Sequence, residues 1–177
     1  MPAKIFLLKG DITEMEVEAI VNAANTALDF EYEAGSVVRH KGGERITEEC
    51  ERLAPRRLGA ATATTAGNLK SLFVIHAVIA QPGEKATAES IRLATRESLF
   101  RAEEKAIRSL ALPALGTGQA GLTAEECAPI MLKAVLYHIN MRTGLEKIYF
   151  VLQDDAALKV FEEVLQELTA RPQAGAA

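Results

Sequence analysis

The segment Pro113-Ala114-Leu115-Gly116-Thr117-Gly118-Gln119-Ala120-Gly121 is the most informative chemistry in the chain. Its glycines free the backbone to aim successive N–H groups at one centre, and such a nest holds phosphate oxygens. Thr123-x-x-Glu126 beyond it is a capping box, so a helix N-terminus adds partial positive charge behind the nest. A tight structural turn is the plainer reading, but it would not need three glycines. The spacing also satisfies G-x-G-x-x-G, a dinucleotide fingerprint. That fingerprint opens a βαβ unit with a whole mononucleotide-binding half after it. Here one strand candidate, Lys147–Leu152, follows, and the helix starts at Thr123 instead of inside the motif. The Rossmann reading is rejected.

Two further segments offer polar groups. In Gly10-Asp11-Ile12-Thr13, Asp11 can accept a hydrogen bond from an exocyclic amine such as that of adenine. Taken alone, the segment reads first as a turn or a helix cap. In Asn22-Ala23-Ala24-Asn25, the amides supply donors and an acceptor for sugar hydroxyls, and the alanines leave room for close approach. Alone, this reads equally as an Asn-rich turn.

Other residues carry less. His76 falls inside an apolar run and reads as a hydrogen-bonded core residue; His138 sits near a helix end, and Arg56-Arg57 follows Pro55 in a solvated turn. Cys50 and Cys127 form no C-x-x-C pair and share no ligand spacing with the three histidines. Reduced cysteines, a cytoplasmic location, no metal and no cofactor are expected.

Strands alternating with helices must position these groups. Strands are expected at Lys4–Lys9, Glu18–Asn22, Ala60–Thr65 (an edge strand), Leu72–Val78, Leu110–Leu115 and Lys147–Leu152. Helices are expected at Gly43–Ala54, Thr87–Ser109, Thr123 to about Asn140, and from Asp154 or Asp155 through Leu168. In the second of these, Ile91, Ala94, Ser98, Ala102 and Ala106 make one face of small residues. The pattern defines an α/β class, a sheet covered by helices on both faces, with ligands at the carboxyl ends of its strands. One domain over 1–170 and a frayed tail over 171–177 are expected.

The 177 residues are 49% apolar, enough for one sizeable core. A net charge of −4 leaves no basic footprint for nucleic acid. The apolar run Ile5-Phe6-Leu7-Leu8 is too short for a signal peptide or a membrane span.

Taken together and in order, these segments resemble the macrodomain family. The resemblance rests on Gly10-Asp11-Ile12-Thr13, Val17-x-Ala19-Ile20-Val21-Asn22-Ala23-Ala24-Asn25, Lys41-Gly42-Gly43, Val74-Ile75-His76-Ala77 and Pro113-Ala114-Leu115-Gly116-Thr117-Gly118. It implies a three-layer α/β/α sandwich with a mixed central sheet, and ADP-ribose as ligand. By position, Asp11 would meet the adenine amine, Ile12 would line its pocket, and Asn25 would contact the distal ribose, with Asn22 beside it. Leu115 to Gly121, including Gly116, Thr117, Gly118, Gln119 and Ala120, would wrap the diphosphate. Gln153 stands where many relatives have an aromatic ring.

The second phosphate loop departs from the family. Where a glycine cluster followed by Val is expected, the chain has Glu31-Tyr32-Glu33-Ala34-Gly35-Ser36-Val37. A carboxylate about 6 Å from a phosphate charge costs roughly 3 kcal/mol at an effective dielectric near 20, less with salt. A local shift would bring Gly35, Ser36 and Val37 into the loop instead. One hydrolase class of the family pairs the Asn with an Asp ten residues later; that position is Gly35, with Glu33 the nearest substitute. The resemblance therefore implies three readings: a binding module for ADP-ribose and proteins that carry it, a hydrolase using Asn25 and Glu33, or a scaffold for another nucleotide or protein.

Overall fold

Apolar runs without polar alternation need cover on both faces, and the inner strands here receive it. The structure, a computed structural model, describes residues 2–170; the tail expected over 171–177 lies outside the described residues. Six strands form one sheet: β1 (Lys4–Lys9), β2 (Ala19–Asn25), β3 (Ala61–Thr65), β4 (Phe73–Ala80), β5 (Ser109–Leu112) and β6 (Lys147–Leu152). Their order is β1-β6-β5-β2-β4-β3. All neighbours run parallel except β3, which lies antiparallel on β4 at the edge. The sheet is mixed, as the resemblance implies.

Five helices cover it: α1 (Glu33–Gly42), α2 (Glu44–Leu53), α3 (Ala88–Glu104), α4 (Ala124–Ile139) and α5 (Asp155–Ala170). One face of the sheet, with Val21, Ile75, Leu110, Ile148 and Phe150, packs on α3, α4 and α5. The other, with Ile20, Val74, Val78 and Ala111, packs on α1 and α2. Met131, Leu132 and Val135 of α4 are fully buried, each worth about 1.5–3 kcal/mol of transfer free energy. The result is three layers, α/β/α.

The boundaries that differ from expectation have local causes. β5 stops at Leu112 and not at Leu115, because Pro113 has no N–H to give a ladder. β2 runs on through Asn22 to Asn25, so both asparagines stand on the strand itself. α3 ends at Glu104, not Ser109: Ala106 turns left-handed at φ 53° as the chain reverses into β5, so it lies beyond the face of small residues. Asp154 caps α5, its Oδ1 accepting from the Ala157 N–H at 2.7 Å.

The larger correction is α1. Gly35, Ser36 and Val37, expected on a loop, lie within this helix. Its buried positions are Gly35, Val38 and Gly42, spaced by three and four but mostly without side chains. Gly35 faces β2: a Cβ there would stand 3.4 Å from Asn22 Oδ1, in van der Waals contact. The glycine serves contact between α1 and β2, not a loop.

Candidate functional site

Because β1, β6, β5, β2 and β4 are parallel, their carboxyl ends share one rim of the sheet. Every sequence-predicted site residue outside α1 falls along that rim except Asn22, which lies inside β2. Asp11 and Ile12 follow β1, Gln153 follows β6, Gly116–Gly121 follow β5, and Asn25 ends β2 with Asn22 three residues earlier on the strand. From β1 to β2 is three strand spacings, about 14 Å, the scale of an extended nucleotide.

At the β1 end, Asp11 caps a 3-10 turn over Ile12–Glu14. Its Oδ1 accepts from the Thr13 N–H at 2.9 Å and the Thr13 hydroxyl at 2.6 Å. Its Oδ2 accepts from Lys41 Nζ of α1 at 2.7 Å. The Lys41 hydrogen bond first, then Thr13, holds the Asp11 carboxyl below its usual range. The carboxylate is therefore an anion fixed in direction and still half exposed. Ile12 is half-buried against the α1–α2 side of the core, and Gln153 is exposed.

At the β5 end, Leu115 is fully buried, and Gly116 and Gly118 both adopt left-handed backbone. Gly118–Ala120 form one 3-10 turn. The N–H groups of Gly118 and Gln119 open that turn, with no earlier carbonyl inside it to bond. A Cβ on Gly118 would meet nothing within 4 Å, so the turn faces open space.

At the β2 end the chain closes on itself. Asn22, Asn25, Leu28, Phe30, Tyr32 and His76 line a narrow cleft with no room for a water molecule. Asn25 is buried, and its Nδ2 donates to Asp29 Oδ1 at 2.7 Å and to Glu31 Oε2 at 3.0 Å. Glu31 also accepts from the Gly83 N–H, at 3.0 and 3.2 Å to its two oxygens. Glu33, expected near Asn25, begins α1 with an exposed side chain; its N–H donates to Gln119 Oε1 at 2.8 Å. The carboxylates at Asn25 are thus Asp29 and Glu31, not Glu33. Tyr32 is buried, and its hydroxyl has no hydrogen-bond partner among the described residues. Burial first, then Glu31 and Asp29, pushes its pKa up.

His76 is the core residue its run suggested, and it orients Asn22. The Thr64 hydroxyl donates to the Thr65 carbonyl, so at 3.0 Å it accepts from His76 Nε2–H. Nδ1 is then the acceptor, 3.2 Å from Asn22 Nδ2. Burial pulls the His76 pKa down to about 4, from 6.5. The unfolded chain therefore takes up this proton first as pH falls. Stability from keeping His76 neutral is full above about pH 6.5 and is lost on the way to pH 4. The expected loss is roughly 3 kcal/mol. Urea unfolding at pH 7 and 4.5 should show it, and His76→Gln should flatten the dependence in that window. An unchanged slope in the variant would assign the acid sensitivity to other groups.

Asp29 and Gly83 were not singled out by the sequence; Glu31 was read only as part of the second phosphate loop, and Lys41 only as part of a motif, not as the partner of Asp11. Asp29 alone had a local signal, lying four residues from Asn25. No cluster of three or more His, Cys, Asp or Glu suited to a metal occurs among the described residues. None of their helices is long and apolar enough to cross a membrane.

Comparison with known proteins shows the family. The macro domain profile matches residues 21–131. An uncharacterized protein of Sulfurisphaera tokodaii is 36% identical over 93% of this chain and 92% of its own length. An uncharacterized Mycobacterium tuberculosis protein is 38% identical over 92% of this chain, which spans only 45% of that relative's length. Among solved structures, a mutant Oceanobacillus iheyensis macrodomain with ADPR superposes with TM-score 0.85 at 24% identity, covering 93% of each chain. The Trypanosoma brucei macrodomain in complex with ADP-ribose gives 0.83 at 23% identity, covering 90% of this chain and 68% of that one. The chain belongs to the macro domain family.

Proposed function

We propose that this macro domain binds ADP-ribose or a close derivative along the carboxyl rim of its sheet, as a reader of free ADP-ribose or of proteins that carry it. The observation that carries the reading is the Gly118–Ala120 turn, open to solvent with its first N–H groups unspent, between the fixed Asp11 carboxylate and the Asn22–Asn25 cleft. Asp11 takes the adenine amine, the turn takes the diphosphate, and the distal ribose lies toward Asn25. The two buried free cysteines, their thiols pushed up to about 12 by burial, support a reducing, cytoplasmic setting. Residues 2–170 act as one unit on this reading.

Titration calorimetry with ADP-ribose tests it; no detectable heat would favour a scaffold for another nucleotide or a protein. In Asp11→Ala, the loss of a charged acceptor should weaken ADP-ribose binding by about 1.5–3 kcal/mol. Equal affinity in the variant would remove adenine from Asp11.

A second reading, hydrolysis of an ADP-ribosyl or O-acetyl ester, is favoured by the two carboxylates on the Asn25 amide. A carboxylate fixed beside an amide can hold and activate water. Turnover of a mono-ADP-ribosylated protein separates the two readings.

A further inference from the structure

The side chain assigned to the distal ribose has no hydrogen bond left to give. Both protons of the Asn25 amide are taken by carboxylates of its own chain, Asp29 at 2.7 Å and Glu31 at 3.0 Å, and its oxygen accepts the Ala27 N–H at 3.0 Å. Glu31 reaches further, to the Gly83 N–H in the loop between β4 and α3. One carboxylate thus bridges the ends of two neighbouring strands across the mouth of the cleft. A second tie, Gln119 Oε1 to the Glu33 N–H, joins the same segment to the turn after β5. Between Asn25 and Glu31 the backbone is strained: Leu28 and Phe30 both have positive φ, 53° and 60°, with Leu28 buried and Phe30 edge-on to His76. Beneath them the Tyr32 hydroxyl stays unpartnered, a buried donor that a ligand oxygen would satisfy.

We infer that Glu31 is a built-in competitor for the ligand. Its carboxylate holds the donors, Asn25 Nδ2 and the Gly83 N–H, that a bound ligand would use, so binding is an exchange of acceptors. The inference rests on the ADP-ribose reading and deepens it. Glu31 selects for a ligand whose distal part brings its own oxygens, hydroxyl or phosphate, to those donors. It leaves alone a ligand that ends at the adenine side, since adenosine seated at Asp11 stops short of the tie. The affinity of the intact protein is reduced by the fraction of molecules in which the tie is open.

The test uses the whole chain and two variants, Glu31→Ala and Glu31→Gln, checked for fold by circular dichroism. Calorimetry with ADP-ribose should show about tenfold tighter binding in Glu31→Ala if the tie is open about a tenth of the time. Glu31→Gln should fall between, and adenosine affinity should not change. Hydrogen exchange of the Gly83 amide, followed by NMR without ligand, should speed up in Glu31→Ala. ADP-ribose binding equal in parent and Glu31→Ala, equal tightening for adenosine, or unchanged Gly83 exchange would each overturn the competitor. No ADP-ribose binding in either protein, with faster Gly83 exchange in the variant, would overturn the ADP-ribose reading and leave the tie standing. Should Glu31→Ala not fold, the same measurements on Glu31→Gln decide, with at least a twofold to threefold gain expected.

Discussion

Gly118→Val should lower ADP-ribose affinity by at least about a hundredfold while leaving the protein folded, because two amide donors to a charged group, each worth about 1.5–3 kcal/mol, are lost together. Gly118 has φ 77°, and a Cβ there would point into open space. Two routes lead to the same loss. If the valine keeps the left-handed backbone, at a cost of roughly 1–2 kcal/mol, its methyl groups stand where the diphosphate would lie. If the turn relaxes to negative φ, the N–H groups of Gly118 and Gln119 swing away from one centre. Neither route disturbs the core, since nothing lies within 4 Å of the added atom. Calorimetry beside circular dichroism reads both halves. A folded variant with near-parental affinity would mean the phosphates are held elsewhere.

Gly67→Ala should cost roughly 3–5 kcal/mol of stability, from overpacking added to left-handed strain. Gly67 has φ 55°, and its Cβ would stand 2.1 Å from the Gly42 carbonyl oxygen, backbone against backbone. No side chain can move aside to relieve this. The Asn68 N–H bonds to the same Gly42 carbonyl at 2.9 Å, so shifting the turn would also break the tie between α1 and the β3–β4 connection. Gly83→Ala is the comparison: φ is 75° but nothing lies within 4 Å, so only the strain of about 1 kcal/mol remains. Urea denaturation of both variants checks the difference. Equal stability of the two would mean that α1 and the turn are not in contact at Gly67.

The sequence made plain whatever depends on local pattern. The strands β1 and β6 were legible to the residue, because each is a compact apolar run between polar ends; β6 is buried on both faces, while β1 lies half-exposed at the sheet edge. So were the Thr123 cap and the strand-end position of Asp11. Helix α1 was not legible, because what it buries is chiefly Gly35 and Gly42, which add no hydrophobic period. Gly35 meets Asn22 across the interface with β2, without an apolar side chain to mark it. The ties of Glu31 to Gly83 and of Gln119 to the Glu33 N–H span 52 and 86 positions, and no local rule links them. Glu33 looked nearest to the missing acid by count, yet the helix that starts there turns it outward and leaves Asp29 and Glu31 beside Asn25.

The sheet order has a consequence in time. Strand β1 pairs with β6 alone, Lys4 opposite Lys147, so its first partner lies 143 positions down the chain. At about 5–20 residues per second, a ribosome needs roughly 7–30 s to cover that distance. Before that interval ends, β2, β4 and β5 have been made and can associate, and Asn25 and the glycine turn can take their places. Asp11, just past β1, cannot. The half of the rim assigned to adenine is completed last, when the final strand inserts between β1 and β5.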